Sequence, residues 1–206
     1  MSPNFFAFRE FMLSSEIMSS QPAPKEPCHF GGKAQVLFAL RDTDWNGFHD
    51  EKMSSKAADS WREVAKQAEL QLALTTRVEV LAKLSVGDQV RAYAESIAVV
   101  QAHGGGSATA IFLPQGATFV VVADMQSKSD YVQWAHMGHI KPRWFELGSN
   151  GDALDTPAIL QLLSQAVYHY HDYNACYDSG DFKAPPHIAK ALAAAAGEGS
   201  SSSTPQ

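Results

Sequence analysis

His103-Gly104-Gly105-Gly106-Ser107-Ala108-Thr109-Ala110-Ile111-Phe112-Leu113-Pro114-Gln115-Gly116-Ala117 is the stretch on which the reading of the fold turns. Ile97-Ala98-Val99-Val100-Gln101-Ala102 precedes it, and Thr118-Phe119-Val120-Val121-Val122-Ala123 follows. Both flanking runs are short, bounded and rich in β-branched residues, as buried strands are. The glycines open a short helix over 106–113, and Pro114-Gln115-Gly116 ends it as a turn. Strand, glycine turn, helix, strand is a parallel crossover unit. It sets the glycine turn at the carboxyl edge of a sheet, where open α/β sheets bind ligands. Glycines let backbone N–H groups approach a ligand closely, and the helix N-terminus behind them favours an anion. A diphosphate fits that description. His103, at the carboxyl end of the first strand, faces the same crevice. The loop is not G-x-G-x-x-G, because Thr109 takes the last position, and no Gly-Lys-Ser/Thr follows to make a P-loop. A tight turn with no ligand remains the plain alternative.

Working outward, Ala34-Gln35-Val36-Leu37-Phe38-Ala39-Leu40 reads as a strand ending in Arg41. A guanidinium suits a diphosphate because its fork is always charged and bidentate. The same side chain could instead pair with Asp42 or Asp44 at the surface, a contact of about 0–1 kcal/mol. Asn46-Gly47 marks a turn, and Ser54 or Ser55 caps a helix whose Ala57, Trp61, Val64, Ala65, Ala68 and Leu72 share a face. Thr75–Val80 is the next strand. Ser85-Val86-Gly87-Asp88 starts another helix, with Val86, Val90 and Ala94 inward. The order βαβαβαβ predicts a doubly wound parallel α/β sheet.

Further on, Ser129 or Asp130 caps a helix through Met137, with Gly138 as its stop, and Trp144-Phe145-Glu146-Leu147 is a short strand or packed loop. Asp155-Thr156-Pro157 starts a last helix with Ile159, Leu160, Leu163, Val167 and Tyr170 on one face. Residues 1–30 read as an N-terminal segment and linker, partly disordered. Residues 31–180 form the α/β domain, and residues 181–206 a largely disordered tail.

Composition narrows the function classes. The 206 residues are 45% hydrophobic and 18% charged, which suits one globular domain. A net charge of -6 without a Lys/Arg cluster argues against a nucleic-acid partner. Cys28 and Cys176 are the only cysteines, too few for a disulfide framework or a Cys-based zinc site. His169 and His171 fall on opposite sides of a helix, and Gly138 separates His136 from His139, so no metal site is expected. No run reaches the ~18 apolar residues of a membrane span. Phe5-Phe6-Ala7-Phe8 has no basic lead and is interrupted by Arg9-Glu10, which makes a poor signal peptide.

The glycine stretch resembles the C-terminal signature of the glycosyltransferase family 61 proteins, roughly H-G-A-G-L-T-N-x-x-F-L-P-P-G-A before an apolar strand. His103, Gly104, Gly106, Phe112, Leu113, Pro114, Gly116 and Ala117 match it without a gap. Gly105, Ser107, Ala108, Thr109 and Gln115 depart from it, and Val121 stands where the family often has Glu. The similarity extends over roughly residues 34–148, including the strand that ends in Arg41. It implies a Rossmann-like sheet, the C-terminal half of a GT-B glycosyltransferase. The implied reaction moves a sugar from a nucleoside-diphosphate sugar to a protein or polysaccharide hydroxyl. It inverts the anomeric centre and needs neither a metal nor any other cofactor. By the same resemblance Arg41, His103, Gly104, Gly105, Gly106 and Ser107 hold the nucleotide-sugar, with no catalytic base identified. The rest of the chain is shorter than a second domain of about 100–150 residues, so the expectation is either a truncated or partial catalytic domain, pairing with a missing N-terminal half, or a compact variant that pairs with itself or another chain. The family's usual compartment is the Golgi or endoplasmic reticulum lumen. Two other readings stay open: a non-catalytic nucleotide-sugar-binding remnant, and an unrelated α/β enzyme whose loop binds another phosphate.

Overall fold

The computed structural model describes residues 35–42, 54–123, 137, 139–146 and 154–174. Strand β1 (Gln35–Leu40) leads to α1 (Ser55–Leu72), β2 (Thr75–Val80), a 3-10 turn (Leu81–Lys83) and α2 (Val86–Ala94). Strand β3 (Ala98–Ala102), a 3-10 helix (Gly105–Phe112), β4 (Thr118–Ala123), β5 (Lys141–Glu146) and α3 (Thr156–Asn174) follow. The five strands form one parallel sheet in the order β2-β1-β3-β4-β5. This is an α/β Rossmann-like arrangement, as the βαβ alternation predicts.

The order follows from burial. Strands β1, β3 and β4 are central and covered on both faces, so they are almost wholly apolar. Edge strand β2 carries Arg77 and Glu79, whose side chains pair at 2.9 Å. Edge strand β5 carries Pro142, which has no N–H to give a further neighbour. The chain leaves β1 towards β2 and returns past it to β3. With right-handed crossovers, that reversal sets α1 and α2 on opposite faces. α1 packs with α3, and α2 packs with the 3-10 helix. Trp61, Phe38, Tyr93 and Phe119 are the bulkiest fully buried residues.

The local signals mostly hold. Ser54, not Ser55, caps α1, its Oγ accepting from the Ala57 amide at 3.1 Å. Ser85 caps α2, accepting from the Asp88 amide at 3.1 Å. Asp155 Oδ1 accepts from the Ala158 amide at 3.2 Å, so α3 begins at Thr156 with Pro157 second.

Three expectations change. Val86 points outward, 61% exposed, because the first residue of α2 lies beyond the sheet; Val90 and Ala94 do face inward. The short strand or loop near Trp144 is the six-residue β5, which starts at Lys141. The helix after the glycines is of 3-10 type and starts at Gly105. Its eight residues at about 2.0 Å each span about 16 Å. That matches a five-residue strand at about 3.3 Å per residue, whereas an α-helix of eight would reach about 12 Å.

The expected turn at Asn46-Gly47, the helix from Ser129 or Asp130, His136, Gly138, both cysteines and both termini lie outside the described residues. Among the described residues, no helix is long and apolar enough to cross a membrane.

Candidate functional site

The crossovers from β1 and from β3 depart in opposite directions, so the carboxyl ends of these two neighbouring strands bound an open crevice. Arg41 leaves β1 there, and His103 and Gly104 leave β3. The register pairs Ala39 with Gln101; extended by two residues, it sets Arg41 level with His103. Contact follows from that alignment. A Cβ built on Gly104 would lie 2.9 Å from Arg41 Nη2 and 3.5 Å from its Cζ and Nε. The guanidinium therefore lies directly against the glycine. Gly104 also has φ 155 and ψ -177, a region essentially reserved for glycine. Both the backbone and the arginine exclude a side chain at this position.

The loop amides divide into two groups. The His103 amide donates to the Val122 carbonyl at 2.8 Å, carrying the β3–β4 ladder one residue further. The Ser107 amide donates to the Gly104 carbonyl at 2.9 Å, closing the first turn. Neither is available to a ligand. Among the described residues, no acceptor takes the amide of Gly104 or Gly106. Gly105 begins the 3-10 helix between them. Ser107 is buried, and its Oγ has no hydrogen-bond partner among the described residues. Four expected site residues, Arg41, His103, Gly104 and Gly106, thus share the crevice edge, with Gly105 between the last two. Ser107 lies beneath.

Asp42, one of the two partners considered for Arg41, has its Oδ1 3.8 Å from Lys83 Nζ. This pair links the exit of β1 to the turn after β2. Asp44 is outside the described residues. His139 fastens the far end of the 3-10 helix. Its Nε2 is 3.2 Å from the Ile111 carbonyl, its Nδ1 contacts the Met137 carbonyl, and its own carbonyl accepts from the Gly116 amide at 2.7 Å. Among the described residues, no group of three His, Cys, Asp or Glu stands close enough to hold a metal.

Two residues of this region escape the sequence reading. Gln101 is buried next to the carboxyl end of β3, and its Oε1 accepts a hydrogen bond from the Tyr93 hydroxyl on α2. Burial pushes the Tyr93 hydroxyl far above its usual range, so it stays a neutral donor. Gln101 Nε2 is 3.1 Å from where a Gly106 Cβ would stand, and Leu81 Cδ1 is 3.7 Å from that point. The available signal is a lone glutamine in an otherwise apolar strand.

Comparison of the chain with protein-family models and with curated proteins finds no match.

Proposed function

We propose that the crevice between β1 and β3 binds a nucleoside-diphosphate sugar, and that the chain is the donor-binding half of a family 61-like glycosyltransferase. The observation that carries this reading is the contact between Arg41 and Gly104 at the point where the crossovers diverge. A fixed positive charge beside amides that have no acceptor among the described residues suits two phosphates in a row. In this reading Arg41 and the amides of Gly104, Gly105 and Gly106 neutralise the charge that grows on the diphosphate as the sugar leaves. His103 lies at the same edge and adds a donor. Ser107 holds the first turn through its backbone. The sugar passes to a hydroxyl of a protein or polysaccharide acceptor, with inversion and without a metal. In this reading the general base comes from the acceptor-binding half of the enzyme, and the setting is the lumen of the Golgi or endoplasmic reticulum.

Calorimetry with uridine diphosphate tests the binding step. The wild type is expected to bind, and Arg41→Ala to weaken binding by about tenfold or more, since a charge-assisted hydrogen bond contributes about 1.5–3 kcal/mol. Unchanged affinity in a folded Arg41→Ala protein would mean that the guanidinium belongs to the surface and not to the site.

A further inference from the structure

A second feature lies under the loop. Gln101 is only 4% exposed, in the central strand β3. Its carbonyl oxygen is committed to the Tyr93 hydroxyl. Its amide nitrogen has no acceptor among the described residues and points to Gly106, 3.1 Å from that residue's would-be Cβ. Unlike Ser107 Oγ, this nitrogen is not sealed from solvent, so its N–H is open to water, an ion or a ligand. The Gly106 amide likewise has no acceptor among the described residues. Gly106 has no positive φ, so its backbone would accept a side chain; Gln101 is the obstacle. The glycine here makes room for a glutamine.

We infer that Gln101 is a diphosphate-binding residue: its amide nitrogen donates to the phosphate oxygen bound at the Gly106 amide, and Tyr93 is the positioning residue that holds it in that orientation. The inference rests on the diphosphate reading above. The Tyr93 proton is fixed on its hydroxyl, so the hydroxyl donates to Oε1 and the amide cannot turn over without losing that bond. The result is a rigid, uncharged donor on a central strand. It reads the presence of a phosphate oxygen, whereas Arg41 reads its charge. Pyrophosphate carries the recognised group without base or sugar, so it should engage the same donor.

The test uses the full chain with uridine diphosphate and, as the base-free probe, pyrophosphate. Gln101→Glu keeps the size and the acceptor for Tyr93 but replaces the donor with a carboxylate oxygen. Near pH 8 it should lose affinity for both probes by about tenfold or more relative to wild type. As the pH falls towards about 4 the new carboxyl, whose neutral form burial favours, takes a proton, becomes a donor again, and the ratio to wild type should narrow. A purely structural role would leave that ratio flat. Tyr93→Phe frees the amide to rotate and should weaken both probes by at least about threefold with the fold intact. That variant carries the test if Gln101→Glu does not fold. Wild-type binding with either folded variant within about twofold of it overturns the role of Gln101. Should the wild type bind neither probe, the diphosphate reading itself fails, and this inference with it.

Discussion

Gly104 and Gly106 look alike in sequence and do different work. Gly104 has a backbone conformation that L side chains rarely adopt, and the Arg41 guanidinium fills the space a Cβ would need. Gly106 has an ordinary backbone, and the nearest atom to its would-be Cβ, Gln101 Nε2 at 3.1 Å, need give by only a few tenths of an ångström. Gly104→Ala should therefore lower stability by about 1–3 kcal/mol and displace Arg41. Gly106→Ala should change stability by less than about 1 kcal/mol. Urea unfolding of both variants checks the difference, and equal costs would contradict it. His171 carries a separate expectation at the same scale. It is fully buried on α3, and burial lowers its pKa from 6.5 to about 4. The folded state then resists protonation more than the unfolded chain does. The resulting stability is fully present above pH 6.5 and is lost as the pH falls from 6.5 towards 4. At about 1.4 kcal/mol per pH unit, the loss approaches about 3 kcal/mol. A His171→Leu protein should show a flatter unfolding free energy across that window; parallel curves for the two proteins would rule His171 out as the cause.

At the scale of elements, the central strands are legible because a parallel sheet covered on both faces needs continuous apolar runs, which Ile97–Ala102 and Thr118–Ala123 supply. The caps are legible too. Ser54→Ala should cost about 1 kcal/mol by denaturant midpoint, since its Oγ takes the Ala57 amide; no change would mean that water replaces the cap. Strand β5 is less legible. Lys141-Pro142-Arg143 carries charge and a proline, which only an edge position tolerates, and the edge is set by the whole sheet. The 3-10 form of the crossover is hidden for a related reason: it depends on matching eight residues to the length of β3. The site was half visible. Arg41 and Gly104 each announce themselves at a strand end. That they touch depends on β1 lying beside β3, with β2 outside. Gln101 gains its role only from Tyr93, which a different element brings to it.

At the scale of the molecule, one topological event makes the crevice. The chain reverses its winding between β1 and β3, and the loops part where an arginine and a glycine turn meet. A diphosphate is proposed to bind at this point. Amide NMR reads it directly, because glycine amides resonate apart from most others and shift when they donate to a phosphate. Titration of the isotope-labelled chain with uridine diphosphate should move the Gly104 and Gly106 amides, the Arg41 Nε–H and the Gln101 side-chain amide together. It should leave α1, α3 and the outer edge of β5 in place. Saturable binding that shifts those distant elements and leaves Gly104 and Gly106 unmoved would contradict the account.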